Sequence, residues 1–204
     1  LRFHEPAEIT VSDPAGYFSA LATQGILLDP ADRRARILDQ VQAIAAEVGG
    51  RTPDDPALLA EVGNLVEFPT ALCGSFDPEH LKLPREVLIS VMKIHQRYFP
   101  LVSASAKHKS GDDASDGLLP YFIVIRNGDT EGMELVRDGN EHVIRARFAD
   151  ANFFVREDLK HKLEDFLHRQ ATQTFQVKLG YMLDKTRRIT QLTSICGEIG
   201  RSSS

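Results

Sequence analysis

The pattern of apolar and polar positions predicts helices in the first third of the chain. Three Asp-Pro pairs each place a capping carboxylate before a proline at the first helical position, which is a typical helix start. The pairs are Asp13-Pro14, Asp29-Pro30 and Asp55-Pro56. Behind the second pair, apolar residues recur at helical spacing until Gly49-Gly50 ends the segment. Ahead of the first pair, the alternation at residues 7–11 predicts a short strand.

The middle of the chain has the composition of β-strands. Three stretches are rich in β-branched and aromatic residues and are bounded by turn formers. They are 65–76, 98–103 and 119–126, and the polar stretch 104–117 before the last one predicts a mobile hairpin loop. Pro69 cannot donate a ladder hydrogen bond, so we expect its strand to lie at a sheet edge or to be bulged. Between the strands the pattern predicts a helix over 84–95, whose inward face carries Val87, Leu88, Val91 and Ile94.

From Asn140 onward the pattern is helical again. One apolar stripe recurs in steps of three and four, at Ile144, Phe148, Ala151, Val155 and Leu159. A second stripe runs from about Leu179 to the end of the chain, and we expect it to pack against something beyond these residues. The patterns predict an α+β fold: a small, mostly antiparallel sheet packed with helices, a helical N-terminal segment and long C-terminal helices. We place the α+β domain at residues 1–176, and at 177–204 the start of a helix that leads into a missing domain.

Composition and charge narrow the classes of function. The chain has 204 residues and a formal net charge of -5, so no overall basic field draws it to nucleic acid. Its two cysteines, Cys73 and Cys196, have no paired spacing, which favours a reducing compartment over a disulfide framework or a thiolate zinc site. No apolar run reaches membrane-spanning length. We therefore expect a cytoplasmic protein without a membrane partner.

The motifs of metal, phosphate and nucleophile sites are missing from the sequence. The seven histidines lack the short, fixed spacings of zinc or iron ligands, and no Walker or dinucleotide-binding glycine motif occurs. Cys73 lies in an apolar strand pattern, which is typical of an inert buried thiol. The serines lack the elbow motif of hydrolases. We therefore predict no metal site, no bound ATP and no catalytic residue in this chain.

Several basic residues leave contact with RNA open. Such side chains can bind phosphates, and these contacts position RNA without reading its sequence. The candidates for contact with tRNA or a protein partner are Lys93, Gln96, Arg97, Arg145, Arg147, Arg187 and Arg188. For each of them an ordinary salt-bridged surface is the alternative. Glu141, for example, lies four residues before Arg145 and would pair with it on a helix.

A series of ordered motifs resembles one protein family. The block from Glu61 to Leu101 contains Glu67-Phe68-Pro69, Phe76-Asp77, Leu83-Pro84-Arg85-Glu86 and Gln96-Arg97-Tyr98-Phe99-Pro100. Gly117 to Ile123 follows, then Gly139 to Phe154 with the pattern G-N-E-x-V-x-R-x-R-x-x-D-A-x-F-F, then Phe175-Gln176, Lys178-Leu179-Gly180 and Asp184-Lys185. This succession resembles the beta subunit of the bacterial two-subunit glycyl-tRNA synthetase. The resemblance covers nearly the whole chain.

The resemblance implies a piece of a larger subunit that does not itself make the bond. In that family the alpha subunit carries the site for glycine activation and uses ATP and Mg²⁺ there, within an assembly of two alpha and two beta chains. We expect an internal fragment of the beta subunit that is inactive alone and holds no cofactor. The resemblance implies as partners the alpha subunit, tRNA(Gly) and the remaining beta-subunit domains. The alternative, an independent tRNA-editing-like or hydrolase domain, would need a convergent polar pocket.

Overall fold

Aspartate side chains cap the helices of the N-terminal segment, as predicted. The structure is a computed structural model that describes residues 10–11, 13–104 and 117–202, with side chains as far as residue 196. The first helices are α1 (Tyr17–Thr23), α2 (Pro30–Glu47) and α3 (Pro56–Leu65). Asp29 accepts a hydrogen bond from the Ala31 amide at the start of α2, and Asp55 accepts one from Leu58 at the start of α3. The predicted strand at 7–11 lies mostly outside the described residues.

Four antiparallel strands form the sheet and confirm the predicted α+β class. They are β1 (Gly50–Arg51), β2 (Pro69–Ser75), β3 (Phe99–Ser103) and β4 (Leu118–Asn127), in the order β1-β3-β4-β2. β2 begins later than the predicted stretch because α3 continues to Leu65. Within the described strands β2 pairs with β4 alone, so Pro69 lies at the sheet edge, which confirms that prediction. The predicted loop at 104–117 lies almost entirely outside the described residues.

Apolar side chains pack on both faces of the sheet. On one face Ile123 of β4 packs in a cluster with residues of α2, α3 and β3, namely Ile37, Val41, Leu58, Val62 and Leu101. Phe122 points to the opposite face, because side chains alternate along a strand, and its ring stacks on Tyr98 with centroids 4.6 Å apart. The Tyr98 hydroxyl donates to Asn140 Oδ1 at 2.6 Å, and burial raises the pKa of Tyr98 to about 12. The sheet is therefore anchored to helices on both sides.

The helix predicted over 84–95 changes its winding halfway. It consists of α4 (Arg85–Ser90) followed by a π-helical turn at Val91–His95. Because a π turn is wider than an α turn, each residue advances by a smaller angle and later side chains shift round the axis. Leu88 is buried as predicted, but Ile94 is 66% exposed and Met92 is fully buried. The predicted inward position of Ile94 is wrong because the buried side is centred on Leu88 and Met92, and six residues at 3.6 per turn set Ile94 about 120° away from Leu88.

The chain divides into two compact units between residues 153 and 154, within the long helix α5 (Met133–Asp158). In the first unit α5 buries Ile144 and Phe148 completely, as the predicted stripe requires. The stripe ends sooner than predicted, because Leu159 follows the last helical residue and is 80% exposed.

The second unit is held by polar and cation–π contacts. It contains 3-10 turns at Leu163–Phe166 and His168–Thr172, a hairpin of β5 (Thr174–Gln176) and β6 (Gly180–Tyr181), and helix α6 (Met182–Ser202). Thr186 donates its hydroxyl to Gln170 at 2.7 Å, and Lys185 lies 4.3 Å from the centre of the Phe175 ring. Between residues 154 and 196 no described side chain is fully buried. The predicted domain boundary between 176 and 177 stays a prediction.

Candidate functional site

Two of the predicted contact residues, Lys93 and Arg97, lie beside α3 and form ion pairs with it. The Lys93 ammonium pairs with the Asp55 carboxylate, and Arg97 Nε donates to Glu61 Oε1 at 2.7 Å. Ile94 lines the same groove as these four residues. We call this patch, made of Asp55, Glu61, Lys93, Ile94 and Arg97, the Ile94 surface. Its two cations are already paired within the chain, so the surface is electrically balanced.

Asp55 makes two contacts that tie the π turn to α3. One carboxylate oxygen accepts from the Leu58 amide at 3.0 Å and so caps α3, while the other pairs with Lys93. Burial acts to raise the pKa of Asp55, but the hydrogen bond and charge of Lys93 and the amides of Leu58 and Ala57 outweigh it. The pKa therefore lies below its ordinary value, and the carboxylate is ionised at neutral pH.

Arg97 has an uncommon backbone conformation. Among the described residues it is the only non-glycine residue with a positive φ, at 56°. Its amide donates to the Lys93 carbonyl at 3.1 Å, and the Tyr98 amide donates to the Met92 carbonyl at 2.9 Å. Arg97 thus closes the π turn as glycine usually closes an α-helix. For a residue with a side chain this conformation costs roughly 1–2 kcal/mol, and such retained strain often marks a functional position.

The structure does not bring the other predicted residues of the first unit into the Ile94 surface. Gln96 is half-buried beside it and does not line the groove. Arg145 and Arg147 are exposed on α5, where two residues turn the helix by about 200° and direct them to different faces. The predicted pair of Glu141 with Arg145 is absent from the ion pairs of the described residues. The Glu141 carboxylate instead accepts from the Ser75 amide at 2.7 Å.

Arg187 and Arg188 lie in the second unit and belong to α6. Both side chains are exposed, and Arg188 Nη1 is 3.4 Å from the Leu179 carbonyl oxygen. Of the five predicted contact residues in the first unit, the structure therefore brings only Lys93 and Arg97 into one groove. Sequence reasoning missed the acidic partners in that groove, Asp55 and Glu61, because they come from a helix about 30–40 residues earlier in a sheet-and-helix fold.

Two side chains of α2 cover the start of the free edge of β2. Arg36 Nε and Gln40 Nε2 both donate to the Pro69 carbonyl, at 3.2 and 3.1 Å. Gln40 Oε1 also accepts from the Ala71 amide at 2.9 Å. An uncovered strand edge invites pairing with another chain, because its amides and carbonyls lack partners. Here one glutamine satisfies an amide and a carbonyl of the edge at once.

Helix α5 covers the remainder of the same edge. Arg137 Nε donates to the Cys73 carbonyl at 3.1 Å, and Glu141 accepts from both the amide and the hydroxyl of Ser75. We call Arg36, Gln40, Arg137 and Glu141 the edge-capping residues. They make β2 a closed edge, so we do not regard it as a docking strand.

Two further features of the described residues bear on chemistry, a small pocket and a half-buried thiol. A pocket of about 260 Å³ beside α2 is lined by apolar residues, which include Ile37, Val41, Leu59 and Phe99, and by the polar residues Gln42, Thr52, Asp54 and Asp55. Burial raises the pKa of the Cys73 thiol, so the thiol stays protonated at neutral pH. Among the described residues, no three His, Cys, Asp or Glu side chains converge as metal ligands would. Within the same residues, no helix combines the length and apolar character needed to cross a bilayer.

Comparison with known proteins places the chain in a family. The family of the glycyl-tRNA synthetase beta subunit matches residues 1–202. Similar proteins include the glycine–tRNA ligase beta subunits of Clostridioides difficile (44% identical over 193 residues, 95% of this chain), Bacillus subtilis (43% over 185, 91%) and Desulforudis audaxviator (42% over 191, 94%). The chain spans only about a quarter of these relatives, 26% of each. The chain belongs to the glycyl-tRNA synthetase beta subunit family.

Proposed function

We propose that this chain is a non-catalytic part of a beta subunit that supports the ATP-dependent attachment of glycine to tRNA(Gly). The observation that carries the proposal is the match to the beta subunit family along residues 1–202. Among the described residues the Ser75 hydroxyl does donate to the Glu141 carboxylate, but that pair closes the edge of β2, so it does not favour the editing-like or hydrolase alternative. We assign bond formation, which uses ATP and Mg²⁺, to the alpha subunit. We therefore expect this chain alone to be inactive.

The role that we propose is scaffolding, combined with contact to tRNA or to the alpha subunit, in the cytoplasm. Arg145 and Arg147 are the best candidates for tRNA, because both are exposed and neither takes part in an ion pair among those of the described residues. Contacts to phosphate would be independent of sequence and would weaken with salt. Lys93 and Arg97 suit this role less well, because each already has a carboxylate partner.

The test uses a full-length beta subunit that contains this chain, together with the alpha subunit and tRNA(Gly). We expect glycylation by the two subunits together and none by the chain of residues 1–204. Glycylation by that chain alone would overturn the proposal. Arg145→Ala and Arg147→Ala should each weaken tRNA binding and reduce its salt dependence by about one phosphate contact. Lys82→Ala is the matched control, because Lys82 is an exposed cation of the same unit paired with Glu79.

A further inference from the structure

The pocket of about 260 Å³ beside α2 lies where three parts of the first unit meet. One side comes from α2, a second from the segment that joins β1 to α3 together with the first turns of α3, and a third from β3. Three of the apolar side chains that line it are almost completely buried, namely Ile37, Val41 and Phe99. All three belong to the core cluster of the unit, so the pocket has an apolar base that the core holds in place.

Polar side chains without partners line the same pocket. Gln42 and Asp54 are exposed and Thr52 is half-buried, so these three lie nearer to solvent than the apolar base. Within the part of the chain that the structure describes, none of the three side chains takes part in a hydrogen bond or an ion pair. Apolar side chains joined by a few converging polar groups are typical of a site for a small molecule.

The charge at the pocket is negative. Among the described residues that line it are two carboxylates, Asp54 and Asp55, and no lysine, arginine or histidine. Lys93 neutralises Asp55, whose carboxylate also caps α3, so Asp54 supplies the charge that remains. An anionic ligand would be repelled by Asp54 and would find no cation among these residues, which argues against a phosphate or a carboxylate as the occupant.

The apolar base argues for an organic cation over a metal ion. Calcium and magnesium are bound by several oxygen ligands, and transition metals by several converging side chains. Among the described residues, no three His, Cys, Asp or Glu side chains converge in this way. A metal ion would also gain nothing from the apolar base, whereas the carbon skeleton of an amine would be removed from water against it.

The volume of the pocket restricts the ligand to a small one. Sites for drug-sized molecules have volumes of about 300–1,000 Å³, and this pocket has about 260 Å³. We propose that the pocket binds a small organic ammonium ion, whose charged group lies at Asp54 and Thr52 and whose carbon skeleton lies on the apolar base. An ammonium group offers only donors, and the Asp54 carboxylate, the Thr52 hydroxyl and the Gln42 amide oxygen all accept. A free amine and a lysine side chain of another protein offer this same chemistry.

The test measures the binding of benzylamine to full-length beta subunit by ligand-observed nuclear magnetic resonance, with benzyl alcohol as the neutral analogue. Benzylamine should bind at least about threefold more tightly than benzyl alcohol, because only the amine carries the charge that Asp54 attracts. Methylamine should bind at least about tenfold more weakly than benzylamine, because it has no ring to bury against the apolar base. Nα-acetyl-lysine amide is measured alongside: if it binds more tightly than benzylamine the source is a lysine side chain, and otherwise it is a free amine.

Substitutions show whether the amine binds in this pocket. Asp54→Asn keeps the size of the side chain and removes its charge, so it should weaken benzylamine binding at least about threefold and leave benzyl alcohol unaffected. Thr52→Val replaces a hydroxyl by a methyl group and should weaken benzylamine binding less, in the same direction. Asp39→Asn is the matched control, because Asp39 is an exposed carboxylate of α2 that does not line the pocket. Its loss should leave the affinity for benzylamine unchanged.

Four results would overturn the inference. The first is that neither benzylamine nor the lysine derivative binds, and the second is that benzyl alcohol or methylamine binds as tightly as benzylamine. The third is an affinity for benzylamine that Asp54→Asn leaves unchanged, and the fourth is an equal loss with Asp39→Asn. If Asp54→Asn lowered the melting temperature of the beta subunit, Thr52→Val would decide the third result in its place. The inference goes beyond the proposed function and does not rest on it, because none of these measurements involves glycylation.

Discussion

The outer edge of β2 and the Ile94 surface are two exposed parts of the first unit, and polar side chains are arranged differently at each of them. Along β2, the edge-capping residues take up backbone groups at Pro69, Ala71, Cys73 and Ser75. At the Ile94 surface, charged side chains pair with one another and leave an apolar side chain uncovered. Polar side chains thus bond to the backbone at the edge of β2, whereas at the Ile94 surface they bond to one another around an apolar side chain.

The difference teaches which kind of association the fold avoids and which it accepts. Strand edges bind other strands with little regard for sequence, because the contacts are made by the backbone. A groove with one central side chain and a charged rim accepts only a partner with matching shape and charge. The first unit therefore closes its least selective surface and keeps a more selective one exposed.

The largest effect is expected from disturbing the packing of β2. Gly74 lies opposite Phe122, and an added Cβ would meet the Phe122 ring, with Cε1 at 2.8 Å. The ring cannot retreat, because Tyr98 stacks on it. We expect Gly74→Ala to lower the free energy of unfolding by about 3 kcal/mol, the upper end for overpacking, as measured by urea denaturation.

A second glycine supplies the control for that experiment. Gly139 lies within α5, and a Cβ there would meet nothing within 4 Å. Gly139→Ala should raise the free energy of unfolding by roughly 0.5–1 kcal/mol, because alanine loses less backbone entropy in a helix. If Gly74→Ala were as harmless as Gly139→Ala, β2 would not be packed as tightly as the structure indicates.

A smaller effect is expected from opening the edge itself. Gln40→Ala leaves the Ala71 amide without its acceptor, which should cost about 1–2 kcal/mol, within the range for an unsatisfied group. The Ala71 amide should also exchange its hydrogen faster, and the variant should self-associate more at high concentration. Gln42→Ala, which removes a glutamine at the mouth of the 260 Å³ pocket, should change neither readout. Unchanged exchange at Ala71 would show that Gln40 does not close the edge.

The sequence was sufficient for the elements whose signals are local. The Asp-Pro pairs predicted the starts of α2 and α3, because a capping carboxylate and its amide lie within three residues of each other. Pro69 predicted an edge strand, because a missing amide is a property of the residue itself. The fold class followed from the change between helical and strand periodicity along the chain.

The candidate site could not be predicted in the same way, because its contacts are not local. Glu141 has a potential partner four residues away in Arg145, yet it bonds to Ser75, 66 residues earlier in the chain. Only the packing of α5 against β2 decides between them. The exposure of Ile94 follows from a buried side centred on Leu88 and Met92 and not on Val87 and Val91, and the apolar pattern alone does not decide between these two centres. The sequence identified Lys93 and Arg97 as cations, but it did not show that Asp55 and Glu61 neutralise them.

The smallest effect concerns the strain at Arg97 and separates its backbone from its side chain. Arg97→Ala loses the ion pair with Glu61 and keeps a left-handed residue that bears a Cβ. Arg97→Gly loses the same ion pair but relieves the strain, so we expect it to be about 1 kcal/mol more stable than Arg97→Ala in urea denaturation. Because an exposed ion pair contributes about 0–1 kcal/mol, Arg97→Gly should be close to the unaltered chain in stability.

If Arg97→Ala and Arg97→Gly were equally stable, the left-handed conformation at φ 56° would carry no cost in free energy. A glycine at position 97 would then stabilise the chain no more than an alanine does. Backbone strain would then not distinguish the Ile94 surface from the closed edge of β2.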